Sequence, residues 1–359
     1  MRHEGKVLVF PAWKDNPYLN MLYLAPRAGG LETLETTTLE GLVARAGTLR
    51  PGDALHVHWT SPVVQRAIDI DEARKRLERF RLTLAAAKRD GIAIVWTVHN
   101  VLPHDAVHLE AEIELHRMLA DAADLVHVMS AGTAQMASEH YDLPAGKTTV
   151  LPHPSYQGVY TNNWTTQEAR ESFGIGASER TVLFFGQMRP YKGLTVLMDA
   201  LASMAEASRP TLLMAGKTSA QDVEILDDHL PANVRAVRHH EFVDDADVER
   251  WFRASDIAVF PYRKVLNSGS IHLAATFGTT AVIPGTDHMR HDFGAEDWVQ
   301  FFDPDDAVKS LAGVLAAPES YADVEGAARN FADRLAPYQV SARFEQALRG
   351  VLTAPGSAA

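Results

Sequence analysis

The sequence contains no cysteine among its 359 residues. Disulfide bonds, thiolate metal sites, iron–sulfur clusters and cysteine nucleophiles are therefore excluded. Basic residues are also few, since 34 Lys and Arg stand against 46 Asp and Glu, giving a formal net charge of −12. A chain this acidic lacks the basic footprint that generic nucleic-acid binding requires. No apolar run approaches the roughly 18–20 residues of a membrane span.

The composition that remains is that of a globular protein. Hydrophobic residues make up 46% and charged residues 22%, which is enough for two hydrophobic cores and excludes a disordered chain. The polar start leads directly into the apolar stretch 6–10, which predicts a first strand and not a signal peptide. We expect a soluble cytoplasmic protein, with the inner face of the membrane as a second place of action.

Short apolar runs alternate with helix-length segments along the chain. This alternation predicts parallel sheets with crossover helices, and near-continuous apolar strands suit sheets covered on both faces. The predicted fold class is α/β, with two doubly wound Rossmann-like domains facing a cleft. Ligands in such sheets bind beyond the carboxyl ends of strands. The predicted strands are 6–10, 54–59, 92–99, 125–129, 148–151, 181–185, 211–215, 234–237, 257–260, 280–283 and 299–302, and the helices include 71–89, 109–123, 194–207 and 247–254.

A segment rich in Pro, Gly and Asn separates the two halves. Residues 152–178 show little strand character, which is typical of an interdomain connector. We predict an N-terminal Rossmann-like domain over 1–155, a connector over 156–178 with a short helix near 166–173, and a C-terminal Rossmann-like domain over 179–335. The remaining residues, 336–359, are expected to form a C-terminal helix and tail.

The loop after the strand predicted over 181–185 combines a glycine with two cations. Gly186 lets the backbone approach a ligand closely, and Arg189 and Lys192 stand beside the start of a helix. Cations next to a helix N-terminus predict a diphosphate site. A solvated basic turn explains the same residues, and the sequence of this loop alone does not separate the two interpretations.

Two further loops of the second half carry candidate ligand contacts. The stretch 257–286 contains no Asp or Glu, and a capping cluster inside it offers hydrogen-bond donors to an anion; a well-capped core helix is the alternative. A hydrophobic pair before an acidic helix cap, in 241–245, could border a nucleobase, or be a plain N-cap. The capping cluster is Asn267, Ser268, Gly269 and Ser270, and the nucleobase candidates are Glu241, Phe242 and Val243.

Histidines and asparagines follow successive strands of the first half. His58 and Trp59 end the second predicted strand, and His99 and Asn100 end the third. Side chains at successive strand ends converge on one edge of a parallel sheet, so they predict a polar wall. His99 and Asp105 are the candidate proton-transfer groups. The alternative is that the histidines are buried, hydrogen-bonded strand-end residues. Asp15, Asn16 and Tyr18 follow the first strand.

Several short motifs match known binding patterns but are not interpreted as catalytic. Asp69-Ile-Asp71 and Asp245-Ala-Asp247 open helices and are interpreted as caps on the helix dipole. The segment 174–178 precedes a strand, so it fails the context of a dinucleotide fingerprint. No histidine spacing supports zinc, and we expect no metal and no cofactor. The basic helix 71–89 is interpreted as a solvated face with ion pairs, with contact to anionic lipid headgroups as the sharper hypothesis.

Taken together, these loops resemble those of the GT-B glycosyltransferases, and the loop 185–193 is similar to the diphosphate loop of the large family-4 enzymes. The full set is similar to one bacterial branch, the exopolysaccharide enzymes described as GDP-mannose:glycolipid 4-β-mannosyltransferases. The matching motifs are Asn16-Pro-Tyr18, His56-Val-His-Trp59, Thr97-Val-His-Asn100, Arg189-Pro-Tyr-Lys-Gly193, Ala215-Gly-Lys217, Glu241-Phe-Val-Asp-Asp245, Phe260-Pro-Tyr-Arg263 and Asn267-Ser-Gly269.

The resemblance implies a hexosyltransferase that moves a sugar from a nucleotide diphosphate sugar to a hydroxyl of a saccharide or glycolipid. GDP-mannose is the first expected donor and a UDP-glucose type the second. The resemblance assigns the acceptor to the N-terminal domain over 1–155 and the nucleotide sugar to the C-terminal domain over 179–335. The two glutamates of retaining family-4 enzymes correspond to Val265 and Leu273, and the branch that the motifs resemble more closely is inverting, so we expect inversion. We also expect a metal-independent reaction, because positive side chains and a helix dipole can stabilise the diphosphate. A retaining transferase, a sugar-nucleotide epimerase or hydrolase, and a non-catalytic binding protein remain alternatives. The resemblance places Lys217 and Tyr262 at the nucleoside, and the 15–18, 58–59 and 100 positions on the acceptor side.

Overall fold

The computed structural model describes residues 5–13, 16–103, 105–263 and 265–353. The described chain divides into two compact units. Unit 1 holds the chain up to Pro154 together with the segment from Pro337 onward, and unit 2 is Ser155–Ala336. Each unit contains one six-stranded sheet, and every strand pair in both sheets is parallel. The predicted α/β class with two doubly wound sheets is confirmed.

The secondary-structure elements alternate as expected. The strands are β1 (Lys6–Phe10), β2 (Glu32–Glu35), β3 (Ala54–Val57), β4 (Ala93–Val98), β5 (Leu125–Val128), β6 (Thr148–Val150), β7 (Thr181–Phe185), β8 (Thr211–Ala215), β9 (Ala236–His239), β10 (Ile257–Val259), β11 (Thr280–Pro284) and β12 (Val299–Phe302). The helices are α1 (Pro17–Leu22), α2 (Leu24–Ala28), α3 (Leu39–Ala46), α4 (Ser61–Val64), α5 (Ile70–Arg89), α6 (Leu109–Ala122), α7 (Thr133–Ala137), α8 (Thr166–Ser172), α9 (Leu194–Ser203), α10 (Ala220–His229), α11 (Asp245–Arg253), α12 (Gly269–Phe277), α13 (Asp287–Phe293), α14 (Ala307–Ala316), α15 (Glu325–Arg334) and α16 (Pro337–Thr353).

The sheet of unit 1 has the order β2-β1-β3-β4-β5-β6. Strands β3 and β4 lie side by side, with His56 opposite Val95 and Val57 opposite Trp96. Their strongly apolar sequences are buried along their whole length, as expected for strands covered by helices on both faces. Because the two strands are parallel and adjacent, the loops that follow them emerge next to each other at one edge of the sheet.

Helix α16 belongs to unit 1, although it follows unit 2 in the chain. Its Ser341 hydroxyl accepts a hydrogen bond from the Ala25 N–H at 2.8 Å and donates one to the Leu22 carbonyl at 2.7 Å, between α1 and α2. Its Phe344 ring is fully buried and stacks at 5.4 Å on the His56 ring. Helix α16, which begins the segment expected as a terminal helix and tail, is therefore an integral part of the core of unit 1, and residues 354–359 lie outside the described residues.

The sheet of unit 2 has the order β12-β11-β10-β7-β8-β9. Strand β7 lies between β10 and β8, so the direction of chain progression reverses between β7 and β10. Such a switch point is where ligands bind in doubly wound sheets. The loops after β7 and β10, which carry the predicted diphosphate residues, meet at this point.

The structure differs from the sequence-based elements in several places. Strand β2 was not predicted, and β9 begins two residues later than the predicted strand 234–237. Helix α9 ends at Ser203, because a 3₁₀ turn over Glu206–Ser208 precedes Pro210. Residues 156–178 form part of unit 2, where α8 begins with a capping box between Thr165 and Glu168 and packs against α11.

Candidate active site

The loop after β7 brings an ammonium group and a hydroxyl onto one glycine. Gly186 has φ +110°, and a Cβ placed there would lie 3.2 Å from Lys192 Nζ and 3.5 Å from Ser270 Oγ. The space beside the Gly186 backbone is therefore lined by one cation and one hydroxyl from two separate loops. Burial lowers the pKa of the half-buried Lys192 ammonium, and the charge of Arg189 lowers it further. An anion at this point would relieve both effects.

A second glycine fixes the approach of the two loops. Gly193 has φ +69°, and a Cβ there would overlap the carbonyl oxygen of Pro261. Only glycine satisfies both the left-handed backbone and this close contact. Arg263 N–H also donates to the Tyr191 carbonyl at 3.0 Å. These two contacts hold the loop after β7 against the loop after β10.

The residues 267–270 lead into helix α12, as predicted. Ser268 is the N-cap position, and its hydroxyl donates to the Tyr262 hydroxyl oxygen at 3.2 Å. Burial raises the pKa of Tyr262, although hydrogen bonds from Ser268 and Ser270 oppose this. Tyr262, which was expected at the nucleoside, therefore lies next to the predicted diphosphate residues. The Lys192 Nζ atom lies over its ring, 5.7 Å from the ring centroid. The helix N-terminus adds a partial positive charge to the same place.

Arg189 stands apart from this group of residues. Its side chain lines a cavity on the α9–α10 side of the loop, together with Arg263 and apolar side chains that include Leu194 and Ile225. Lys192 and Ser270 therefore lie beside the Gly186 backbone. Arg189 lines the neighbouring cavity instead, although its charge still lowers the pKa of Lys192.

The predicted nucleoside residues lie on the loops after β8 and β9. The Lys217 carbonyl accepts from the Met188 N–H at 3.1 Å, which joins the loop after β8 to the loop after β7. Glu241 is exposed, and the Phe242 ring is 60% exposed. Val243 is buried, so its side chain packs inward and leaves Phe242 as the apolar group presented at the surface of this loop.

His99 of unit 1 is enclosed by aromatic rings and a second histidine. Its Nε2 lies 3.1 Å from His58 Nδ1, and its ring stacks on Trp59 at 4.0 Å with an interplanar angle of 17°. The Tyr18 ring meets its edge at 5.2 Å. Burial lowers the pKa of His99 well below its usual value, and His58 lowers it further. The imidazole is therefore neutral near pH 7 and able to accept a proton.

A buried chain of hydrogen bonds lies beneath this site. The Leu151 carbonyl only accepts, so His127 Nε2 donates to it at 2.9 Å. Burial lowers the pKa of His127 to about 4, so its neutral Nδ1 accepts from the Thr97 hydroxyl at 3.1 Å. The Thr97 oxygen then accepts from His56 Nε2 at 2.7 Å, and His56 Nδ1 accepts from the Tyr23 hydroxyl. His56 is therefore a buried, hydrogen-bonded strand residue.

The remaining predicted residues of unit 1 are spread around this edge. The Asn16 side chain accepts from the Tyr18 N–H at 3.0 Å and caps α1. Asn100 is half-buried and lines a cavity next to His99. Asp105 is exposed on the loop between β4 and α6. Asp15 lies outside the described residues.

Sequence reasoning missed a buried polar group under the same cavity. Glu112 and His116 of α6 are 0% and 2% exposed, and their side chains lie 3.3 Å apart. The signal was present in the spacing, because Glu112 and His116 fall on the same helical stripe as the buried Leu115 and Leu119. Charged residues on an apolar stripe are seldom buried unless they are paired. The cavity is lined by His58, Trp59, Thr60, Ser61, Trp96, His99, Asn100, Pro103 and His116.

The described residues hold neither a metal-binding cluster nor a membrane-spanning helix. Within the described residues, no group of three or more His, Asp or Glu side chains is placed to hold a metal ion. Over the same part of the chain, no helix has the length and apolarity needed to cross a bilayer. The basic helix α5 carries ion pairs along its surface, including Arg74 with Asp71 and Arg81 with Glu78.

The sequence of unit 2 is similar to a known family of enzymes. Residues 179–316, which fall within unit 2, match the family Glycosyl transferases group 1. Unit 2 carries a glycosyltransferase group 1 domain. The chain is therefore a glycosyltransferase, and the resemblance stated from the sequence motifs is confirmed.

Curated relatives of this glycosyltransferase are distant. A GDP-mannose:glycolipid 4-beta-D-mannosyltransferase of Xanthomonas campestris pv. campestris is 22% identical over 309 residues, covering 85% of this chain and 80% of the relative. A D-inositol 3-phosphate glycosyltransferase 2 of Catenulispora acidiphila is 31% identical over 278 residues, covering 68% of this chain and 63% of the relative.

Solved structures match the fold over nearly the whole chain. Anabaena Alr3699/HepE in complex with UDP and glucose superposes with a TM-score of 0.71 at 14% identity, covering 96% of this glycosyltransferase and 100% of that chain. WaaG, a glycosyltransferase involved in lipopolysaccharide biosynthesis, has a TM-score of 0.63 at 13% identity, covering 97% and 100%. These likenesses confirm the GT-B fold.

Proposed function

We propose that this glycosyltransferase moves a hexosyl group from a nucleotide diphosphate sugar to a hydroxyl of a saccharide or glycolipid, without a metal ion and with inversion. The observation that carries the proposal is the convergence of Lys192 Nζ and Ser270 Oγ on Gly186 at the start of α12. A cation, a hydroxyl and a helix N-terminus are suited to the charge that develops on a departing diphosphate.

GDP-mannose is the first proposed donor, and a UDP-sugar is the second. The name of the Xanthomonas relatives supports the first, and the UDP held by the Anabaena neighbour supports the second. The exposed Phe242 ring on the loop after β9 offers an apolar face to either base. The proposed nucleoside residues are Lys217, Glu241 and Phe242.

The proposed acceptor side is the edge of unit 1 around His99. In the reaction, His99 takes the proton of the acceptor hydroxyl, and the oxygen attacks the anomeric carbon of the donor sugar. The bond from that carbon to the diphosphate oxygen breaks, and the diphosphate keeps the electron pair beside Lys192. The position of His99 on the wall of the cavity supports this role, and its lowered pKa keeps the imidazole in the neutral form that can accept a proton. Asp105 is the alternative base.

Two side chains support inversion over retention. The positions that resemble those of the retaining glutamates hold Val265 and Leu273, and Leu273 is buried in α12. Neither side chain can act as a nucleophile or stabilise a cationic transition state by charge. An attack by the activated acceptor from the opposite face needs no such group.

A lipid-linked acceptor and peripheral contact with a membrane are part of the proposal. The support is the word glycolipid in the names of two relatives, together with exposed aliphatic side chains near the acceptor edge. Ile68 is 90% exposed and Val107 is 75% exposed. Ile68 lies between α4 and α5, and Val107 lies in the loop between β4 and α6 that also carries His99, so we propose these aliphatic side chains as the point of contact with a bilayer.

A thermal-shift panel tests the donor assignment. A ligand that binds only the folded state raises the melting temperature by mass action. We expect a shift with GDP and GDP-mannose; a shift with UDP species alone would keep the mechanism and replace the donor. If none of GDP, UDP, ADP, dTDP or their sugar conjugates shifts the folded enzyme, the diphosphate site is wrong. Incubation with donor alone distinguishes an epimerase or hydrolase, which consumes the donor without an acceptor.

A further inference from the structure

The loop that carries both candidate bases is held near each end by hydrogen bonds to neighbouring side chains, among them the Tyr141 hydroxyl, which donates to the Val101 carbonyl at 2.9 Å. Near its start, His116 Nδ1 donates to the Val101 carbonyl at 3.1 Å. Near its end, the Val107 N–H donates to Gln65 Oε1 at 2.7 Å. His99 precedes the first anchor, and Asp105 lies between the two. The anchors come from α6 and from the residue that follows α4, so they belong to separate parts of unit 1.

Both anchors lead to the same buried carboxylate. Gln65 Nε2 donates to Glu112 Oε2 at 2.6 Å, and His116 Nε2 lies 3.3 Å from Glu112 Oε1. The Thr60 hydroxyl, from the loop after β3, also donates to Glu112. Glu112 is 0% exposed. One carboxylate therefore joins the loop after β3, the end of α4 and the loop after β4.

The hydrogen bonds of this group favour the charged form of Glu112. The Val101 carbonyl only accepts, so His116 Nδ1 is the donor of that contact. The Thr60 hydroxyl lies between Glu112 and His116 Nε2, 3.0 Å from the latter. Burial raises the pKa of Glu112, but hydrogen bonds from His116, Thr60 and Gln65 outweigh it and lower the pKa overall. Glu112 is therefore a carboxylate held by three side chains.

The partners of Glu112 form part of the wall of the cavity beside His99. His116 and Thr60 both line that cavity, together with Trp59 and Asn100. Changing the carboxylate would therefore alter the wall of the cavity and loosen one anchor at each end of the loop. No group of the proposed reaction touches Glu112 itself, which acts through its neighbours.

We propose that Glu112 is the positioning residue of the acceptor site, which holds the loop 99–108 so that the general base and the cavity wall keep one arrangement. The assignment of the acceptor to this edge rests on the proposed function; the anchoring of the loop does not. Removal of the Glu112 charge is expected to weaken acceptor use while leaving the donor site of unit 2 unaffected.

A second buried carboxylate provides a matched control. Glu249 of unit 2 is also 0% exposed and accepts hydrogen bonds from the Asn163 and Trp164 N–H groups at 2.7 and 3.0 Å. Glu112→Gln and Glu249→Gln therefore each remove one buried charge and retain a similar shape. A purely structural role predicts similar consequences for both variants in unfolding and in kinetics.

Two measurements on the full chain test the proposal. Hydrogen–deuterium exchange followed by mass spectrometry reports the amides of 100–109, and steady-state kinetics with donor and acceptor varied separately report substrate use. For Glu112→Gln we expect faster exchange in 100–109 and a rise of about tenfold or more in the acceptor KM. The donor KM and the slow hydrolysis of donor by water should stay within about twofold. Glu249→Gln should change neither the exchange of 100–109 nor the acceptor KM.

Unchanged exchange in 100–109 for a folded Glu112→Gln protein would overturn the anchoring role, and an unchanged acceptor KM would overturn the positioning role. If Glu112→Gln does not fold, Gln65→Ala serves instead, because it cuts one anchor and keeps the contact between Glu112 and His116. The same two changes are expected, and their absence has the same meaning. A wild-type enzyme that transfers to no acceptor would refute the proposed function, while the exchange experiment still decides whether Glu112 holds the loop.

Discussion

The Nδ1 atom of His58 lies 3.1 Å from the Nε2 atom of His99, so these two imidazoles share one proton between them. This contact orients the His99 ring and occupies its Nε2. In the proposed reaction, His99 takes the acceptor proton, and the adjacent His58 ring stabilises the imidazolium that forms.

Replacing His99 should remove most of the transfer activity. We expect His99→Ala to lower kcat by about 10²–10⁴-fold, the usual contribution of general base catalysis, with the thermal shift by nucleotide unchanged. Steady-state assays and the shift panel measure the two effects. His140→Ala, a half-buried histidine elsewhere in unit 1, is the control. If Asp105→Asn abolishes transfer and His99→Ala does not, Asp105 is the base.

Removing the Lys192 ammonium should impair the chemical step. Because this charge lies next to Gly186 where a diphosphate would gain electrons, Lys192→Ala should lower kcat by about 10²–10³-fold. Lys309→Ala, which removes an exposed cation from α14, should have no effect in the same assay. Arg189→Ala should reduce turnover too; near-normal turnover there would leave the diphosphate to Lys192 and α12 alone.

Acid should destabilise unit 1 through its buried histidines. Burial lowers the pKa of both His127 and His153 from 6.5 to about 4, so the unfolded chain binds protons that the folded chain excludes. Stability is complete above about pH 6.5 and falls as the pH drops toward 4, by about 2 kcal/mol per histidine at pH 5. Urea unfolding at pH 7 and pH 5 measures this. His153→Gln should reduce the loss in the free energy of unfolding between pH 7 and pH 5. Equal stability of the wild-type protein at the two pH values would contradict the burial of neutral histidine rings.

Two glycine substitutions should change the free energy of unfolding in opposite directions. Gly193→Ala places a Cβ at φ +69° against the Pro261 carbonyl, so we expect a loss of about 2 kcal/mol or more in the free energy of unfolding, together with loss of activity. Gly313→Ala lies within α14 with open space around it, and should add about 0.5–1 kcal/mol. Urea unfolding of both variants measures the difference. A tolerated alanine at 193 would show that the two loops can separate without cost.

The positions of most strands, and of the loops that follow them, could be predicted from the sequence, because buried parallel strands are continuous apolar runs. Strand β2 could not be recognised, because Glu32–Glu35 is a charged edge strand with no apolar run. The buried pair of Glu112 and His116 was missed because charged residues in a helix suggest its solvated face. The inward direction of Val243 depends on packing between elements that local patterns do not encode.

The connection of the units has a consequence for the order of synthesis. The chain enters unit 2 at Ser155 and leaves it at Ala336, and the Ser155 N–H donates to the Leu335 carbonyl at 2.8 Å. Unit 2 is thus a continuous insert whose two ends are joined by a hydrogen bond, whereas unit 1 needs Ser341 and Phe344 to fill its core. On the ribosome, where domains fold as units while the chain grows, the second unit can finish folding first. The first must wait for the last helix to emerge.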